Sequence, residues 1–536
     1  MAEQKGQNYL HGAAILTLGV IIMKILGFFY KMPVANIIGP DGYSMFMQTY
    51  NVYNVFLTLS TAGLPIALAR MISEANAENR PMQARRTFRV AWWTFFVIGM
   101  VFTLIMLLFP DFIAHRILHN PPAAMSIRAM APSVLLVCLV SAYRGYCQGY
   151  GNMIPTTVGQ VLEVLVKVIV GLALAWIVMH SERGKPMGSA AAIFGVSAGS
   201  AAALLYMWLY KRRHMTEGVL EKPDVPDPDG KIFSRFMRIG IPIALGGSVL
   251  AILNLVDSGL TMGRLQSAAG FGLDAANVLN GVYGEAQTIF NLPAAVIPPL
   301  TISVVPAITA AAVRGENDLA TRISEDSMRI AAVLAMPMGV GLAVLSKPIM
   351  RVIFHDNHPA GPTLLAVMGV AAFFVCMVLM ENAILQANGR ELLPMITMIG
   401  GGVEKVTLNY FLVARPNINI YGAPVGTLVS YVVMAVMNFV FMCYVLDKNP
   451  KLRNILIKPF LCSAVMGGCA WGVYGLLDRF LRFGSPRLHM LLCMGVAILA
   501  AVAVYLVFAI AMRMITKEDM RLIPRGEKIA KLLHMR

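Results

Sequence analysis

The sequence predicts an all-α polytopic membrane protein of about fourteen transmembrane helices, with two six-helix lobes related as a parallel repeat and two extra C-terminal helices. Three observations predict it. Hydrophobic residues make up 57% of the 536 and charged residues 13%, about half the charge of a soluble domain; the mean hydropathy is +0.68. Apolar runs long enough to cross a bilayer as helices recur from end to end. Landmarks in the first half return in the second at an almost constant offset.

In chain order the spans fall near 10–35, 43–69, 90–110, 129–149, 155–179, 188–210, 239–262, 281–312, 330–346, 363–387, 392–414, 422–446, 457–477 and 489–512. The first carries Lys24 near its middle, where an ammonium costs roughly 3 kcal/mol on insertion scales. Lys31 lies two helical turns on, so both lysines and Gly27 share one face. That face needs a wet cavity, a protein partner or an anionic ligand. The run is too long for a cleaved signal peptide, and a polar turn from Asn36 to Asp41 follows it without a small-residue cleavage site. The eighth span holds Pro293, Pro298, Pro299 and Pro306; losing that many backbone donors predicts a kinked, mobile helix.

The repeat rests on five landmarks. Pro65-Ile-Ala-Leu-Ala-Arg70 and Arg89 return as Pro306-Ala-Ile-Thr-Ala-Ala311 and Arg329. Gln148-Gly-Tyr-Gly-Asn152, Pro155 and Glu163 return as Gln386-Ala-Asn-Gly-Arg390, Pro394 and Glu404. Six spans is an even number, so the two copies share a topology and an axis along the membrane normal. The predicted organisation is an N-terminal lobe (1–212), an inter-lobe loop (213–238), a second lobe (239–447) flanking a central cavity, helices 13 and 14 (448–512) and a basic tail (513–536).

With the N-terminus inside, 28 of the 44 lysines and arginines fall in the even-numbered turns and the tails, 11 in the odd-numbered turns and five within spans. Cytoplasmic loops collect Lys and Arg, so both termini are expected in the cytoplasm. The same rule accounts for the net charge of +16 without nucleic acid. The basic tail interleaves Ile515, Leu522, Ile523, Ile529, Leu532 and Leu533 with cations, a pattern that suits either an interfacial helix on an anionic leaflet or a solvated tail.

Walker A and HExxH motifs are absent from the sequence, and its one GxSxG match, Gly195-Val-Ser-Ala-Gly199, lies inside a predicted apolar span and not at a strand-to-helix turn. The expectation is therefore not an enzyme, with no cofactor and no ATP-binding domain; transport would run on ion, potential or substrate gradients. Seven cysteines lie in apolar segments without CxxC spacing and read as small hydrophobes. His355-Asp-Asn-His358 resembles a metal cluster but sits in a predicted outside loop, and no metal is expected there.

Ionisable groups inside spans are the functional candidates. Lys24 and Lys31 come first, with the alternative that Lys31 snorkels to the interface. Gln48, Asn51 and Asn54 form a polar stripe on the second span, and Arg144 reads as either a cavity residue or a helix-end residue. Glu163 and Lys167 stand at i, i+4, the favourable order for an intrahelical pair. The adjacent Glu404 and Lys405 occupy the matching place in the second lobe and point apart. Asp257 and Glu285 are candidates for coupling a cation or proton.

Met23-Lys24-Ile-Leu-Gly-Phe-Phe-Tyr-Lys31 resembles the first-helix motif of lipid-linked oligosaccharide flippases in the multidrug/oligosaccharidyl-lipid/polysaccharide exporter superfamily. Gly63-Leu-Pro-Ile-Ala-Leu-Ala-Arg70, Arg144-Gly-Tyr-Cys-Gln-Gly with Asn152 and Pro155, and Asn291-Leu-Pro293 resemble its stage V sporulation protein B and MurJ-type branch. The resemblance implies export of an undecaprenyl-pyrophosphate-linked saccharide, most often lipid II, across the bacterial cytoplasmic membrane by alternating access. It also implies membrane lipids and cell-envelope synthesis proteins as partners, and it hands Lys24 the role of meeting the pyrophosphate. This chain departs from the MurJ pattern at Tyr30 and Lys31, and at Gln287-Thr-Ile-Phe in the eighth span. Another polysaccharide lipid intermediate, cation-coupled multidrug efflux on the same fold and a non-transporting envelope scaffold are the alternative readings.

Overall fold

A computed structural model describes residues 2–214, 224–355, 358–446, 452–480, 484–512 and 514; the side chains of 2–22, 24, 25, 302, 303, 452 and 454 fall outside that description. The helices are α1 (Ala2–Thr61), α2 (Leu64–Ala77), α3 (Pro81–Leu108), α4 (Pro110–Phe112), α5 (Ala124–Gly149), α6 (Ile154–His180), α7 (Lys185–His214), α8 (Asp229–Ser267), α9 (Leu273–Ala294), α10 (Ile297–Val313), α11 (Asn317–Val344), α12 (Ser346–Ile353), α13 (Ala360–Ala387), α14 (Leu392–Leu412), α15 (Gly422–Val445), α16 (Leu452–Phe480) and α17 (Pro486–Ala511). The described residues contain no β-strand.

Each expected span falls on helix, but the count of fourteen is not established. Among the described residues, eleven helices are long and apolar enough to cross a membrane, or twelve if a bent pair counts as one span. Two causes account for the difference. The first two expected spans are counted as one because they follow each other without an open loop: within α1 two helical stretches meet at a kink at Gly39 (φ 72°, ψ 172°), between Pro33 and Pro40. Gly39 supplies the positive φ that an L side chain resists. And α14 is not among the eleven, since Gly400-Gly401-Gly402 and Glu404-Lys405 dilute its apolar run. The proline-rich eighth span breaks after Ala294 into α9 and α10, bent by 41°.

Contacts divide the chain into two compact units, Met1–Glu285 with Val406–Ile420, and Ala286–Lys405 with Tyr421–Arg536. In the first, α7 packs on α5 and α6, and α1 packs on α5, α6 and α8. Lipid supplies no hydrophobic drive between helices, so close approach through small residues does the joining. A Cβ at Gly195 would lie 2.5 Å from the Gly171 backbone, and one at Gly199 would overlap the Glu163 carbonyl. A Cβ at Gly145 would stand 2.8 Å from the Pro65 carbonyl, which seats α5 against α2.

The described end of the inter-lobe loop is tied to the start of α3. The α3 amides of Met82 and Gln83 donate to the Asp224 carboxylate at 2.7 and 3.0 Å. This is an N-cap delivered from a distant segment, satisfying donors that the first turn of a helix leaves open. Arg86 pairs with Asp229 and Arg235 with Glu74, each at 2.5 Å. Residues 215–223 of that loop lie outside the described residues, as do 513 and 515–536 of the basic tail.

In the second unit α11 crosses α13 where a Cβ at Gly339 would be 2.7 Å from the Gly369 carbonyl. Asn438 of α15 donates to Asn382 of α13 at 2.9 Å and accepts from Thr397 of α14 at 2.8 Å. Tyr505 of α17 donates to the Val333 carbonyl of α11 at 2.6 Å. All seven cysteines are free thiols, five of them buried.

Candidate cationic site in the N-terminal unit

Aromatic side chains form a ladder along α1 and bracket its cations. Phe46 contacts the rings of Tyr30, Tyr43 and Tyr50, and Tyr50 contacts Tyr53, with centroid separations of 5.5 to 5.9 Å. Lys31 Nζ lies 5.6 Å from the centre of the Tyr50 ring, and Lys167 Nζ of α6 lies 5.4 Å from that of Tyr30. Both are within cation–π range. Tyr30 is 1% exposed and donates to the Ala192 carbonyl of α7 at 2.7 Å. A Cβ at Gly171 would stand 2.7 Å from the Tyr30 hydroxyl, so that glycine lets α6 carry Lys167 up to the ring. Lys31, half-buried, and Lys167 lie close enough for each ammonium to feel the other's charge. Lys24 is on the same helix, with its side chain outside the described residues.

The spacing of Glu163 and Lys167 predicts a pair within α6; the partner of Glu163 is instead Arg144 of α5. Arg144 Nη2 donates to Glu163 Oε2 at 2.7 Å, and Ser200 Oγ of α7 donates to Oε1 at 3.2 Å. The Arg144 guanidinium, near the C-terminal end of α5, reaches across to α6 and is 16% exposed. A planar fork matches a carboxylate better than the flexible ammonium one turn along. Tyr53 lies within electrostatic reach of both members of the pair. Lys31, Lys167 and Arg144 against the single Glu163 leave the cluster net cationic.

The stripe on the second half of α1 divides. Gln48 is 1% exposed, and its Oε1 accepts from Asn120 Nδ2 at 2.6 Å; Asn120 also donates to Asn277 of α9 at 2.7 Å. Asn280 of α9 donates to Ser44 at 2.8 Å. A Cβ at Gly281 would overlap the Pro40 carbonyl, so the α1 kink and α9 meet backbone to backbone. Asn51 and Asn54 remain half-buried.

Among the acidic candidates, Asp257 of α8 is 4% exposed and accepts from Asn409 Nδ2 at 2.5 Å. Glu285 of α9 is buried, and Glu404 and Lys405 of α14 are half-buried. Sequence reasoning passed over Glu381 of α13, which is 3% exposed beside Asn382 and within hydrogen-bond reach of Asn438. The rule that picked out Asp257, a charge inside an apolar span, would have found it. Asn120 and Asn277 are neutral and carry no such signal. Asp356 and Asn357, the centre of the His355–His358 stretch, lie outside the described residues.

An almost wholly helical, membrane-spanning chain with half-buried cations among aromatic rings has the character of a membrane flippase or transporter. The chain belongs to the polysaccharide biosynthesis protein family, whose model matches residues 9–312. It is similar to stage V sporulation protein B of Bacillus subtilis, 25% identical over 97% of this chain and 98% of that one. It is also similar to the lipid II flippase MurJ of Bacillus subtilis, 23% identical over 93% and 94% of the two chains. Among solved structures, lipid II flippase MurJ in an inward closed conformation matches with a TM-score of 0.66 and 15% identity, over 93% of this chain and 98% of that one. That likeness gives the fold.

Proposed function

We propose that this protein translocates an undecaprenyl-pyrophosphate-linked saccharide, with the peptidoglycan precursor lipid II as the leading cargo, across the bacterial cytoplasmic membrane by alternating access, both termini lying in the cytoplasm. One observation carries the reading: the net-cationic, aromatic-lined cluster of Lys31, Lys167 and Arg144 inside an apolar helical unit. A diphosphate cannot enter hydrocarbon unassisted, and two ammonium groups held near each other are stabilised when an anion lies between them. The saccharide would occupy the wet space beside Asn51 and Asn54 while the polyprenyl tail stays in lipid. Similarity to a protein named as a lipid II flippase supports this cargo class. Asp257 and Glu285 are proposed to couple transport to a cation or proton, with Glu404 as a gating candidate.

The test is complementation of a bacterium depleted of its own lipid II flippase, with Lys24→Ala, Lys31→Ala and Lys167→Ala beside the parent. Rescue by the parent and loss with the variants, at equal membrane levels, supports the reading. A well-expressed parent that fails to rescue moves the cargo to another undecaprenyl-linked saccharide. Acquired dye efflux would move it to cation-coupled drug export.

A further inference from the structure

Sharing no residue with the cationic cluster, α3 and α8 enclose an open groove of about 610 Å³. Two helical rows form its walls. Arg89, Trp93 and Val97 follow at i, i+4 and i+8 along α3; Asp229, Phe233 and Met237 do so along α8. Each row therefore lies on one helix face, and each runs from a charge through an aromatic ring to an aliphatic side chain. The Arg86–Asp229 ion pair holds the two helix starts level, so the rows run side by side. That pair also neutralises Asp229. No carboxylate among the described residues pairs with Arg89.

The gradient matches a bilayer leaflet. Tryptophan concentrates at headgroup level, with basic residues just outside it. Beyond Trp93, which is 56% exposed, α3 presents Val97, Val101, Leu104 and Leu108, all exposed and apolar. The groove thus begins where lipid phosphates lie and ends among acyl chains. We propose that it is a binding site for one anionic phospholipid of the phosphatidylglycerol type, its phosphate on Arg89 and one acyl chain between Trp93, Val97, Phe233 and Met237. The cation at the mouth selects for net negative charge; a zwitterionic lipid offers the same chain without it.

Gly230 supplies a clean test. It lines the groove, and a Cβ there would meet nothing within 4 Å, so a larger side chain fills the space without moving either helix. The full chain is purified in detergent, and lipid retention is read by native mass spectrometry against added phosphatidylglycerol or phosphatidylethanolamine. The parent is expected to hold one phosphatidylglycerol about fivefold more tightly than phosphatidylethanolamine, the ratio corresponding to about 1 kcal/mol per basic residue at an anionic surface. Arg89→Gln removes that preference, Arg89→Lys keeps it, and Gly230→Leu weakens both lipids with no change in melting temperature. Equal retention of the two lipids by the parent overturns the proposal. So does parent-like retention by both Arg89→Gln and Gly230→Leu, or displacement of the phospholipid by an equal amount of undecaprenyl phosphate.

Discussion

Arg144 of α5 and Glu163 of α6 are joined at 2.7 Å, and Ser200 of α7 donates to the free oxygen of the same carboxylate. Three helices are thereby fixed around one ion pair, a helical turn from Lys167. In the second copy of the repeat, the offset of 238 places Asn382 where Arg144 stands. Asn382 there joins a neutral network with Asn438 and Thr397. At these positions one tie is an ion pair and the other is made of amides and a hydroxyl.

Removing one partner of a mostly buried pair leaves the other charge uncompensated, a loss of about 3 kcal/mol. Glu163→Gln and Arg144→Met are each expected to lower the melting temperature of the detergent-solubilised protein sharply. The double variant should recover most of that loss, since two apolar or neutral groups need no counter-charge. Additive losses in the double variant, read by thermal unfolding on a sizing column, would show that the two residues act independently.

Lys31 and Lys167 are expected to behave differently. They repel each other, so replacing either by alanine relieves a strain and should leave the melting temperature unchanged or raised. Substrate handling should fall, because an anion bound between two cations loses half its attraction. With a fluorescent undecaprenyl-pyrophosphate lipid in proteoliposomes, each single variant should slow translocation about tenfold, the equivalent of about 1.4 kcal/mol. The double variant should fall to background. Unimpaired translocation by both single variants would remove these lysines from the site.

Much of this arrangement is legible in the sequence. The apolar runs located the helices because a bilayer leaves a backbone few alternatives, and the charge inside a span singled out Lys31, Arg144, Glu163, Lys167 and Asp257 from physical cost alone. Two features were not legible, and both depend on partners distant in sequence. Helical spacing proposes Lys167 for Glu163, but nothing in the spacing weighs that choice against a guanidinium on the preceding helix. Gln48 stands out in the polar stripe, but its network partners Asn120 and Asn277 do not, because neutral amides carry no insertion penalty large enough to mark them. The tightness of the kink at Gly39 is hidden for a local reason: Asn36 to Asp41 has the composition of a turn, and only the close approach of Gly281 to the Pro40 carbonyl shows how the chain is packed there.

Asp257 and Asn409 test ion coupling apart from stability. Asn409→Leu withdraws a donor from a buried carboxylate and should destabilise the protein by about 1 to 3 kcal/mol. Asp257→Asn preserves shape and volume while removing the charge, and should fold as well as the parent. If Asp257 couples transport to a cation or proton, the Asp257→Asn variant in proteoliposomes will lose its response to an imposed ion or pH gradient while retaining downhill exchange. A variant that keeps the full gradient response would assign Asp257 a packing role only.

Gly199 links packing to the site itself. Its missing side chain lets α7 approach the Glu163 carbonyl, and a Cβ there would collide with backbone, which cannot rotate away. The same approach brings Ser200, the next residue, within 3.2 Å of the Glu163 side chain. Gly199→Ala should therefore cost about 1 to 3 kcal/mol through overpacking and also pull Ser200 off the carboxylate. Gly475→Ala and Gly495→Ala are the matched controls, since a Cβ at either would meet nothing within 4 Å. Replacing glycine by alanine on an exposed helical face is neutral or mildly stabilising. Melting temperatures of the three variants in one detergent separate the effects. A loss confined to Gly199→Ala, accompanied by slower translocation, ties the glycine seam to the cationic site; equal losses in all three would mean that helix flexibility, not the α6–α7 approach, governs stability.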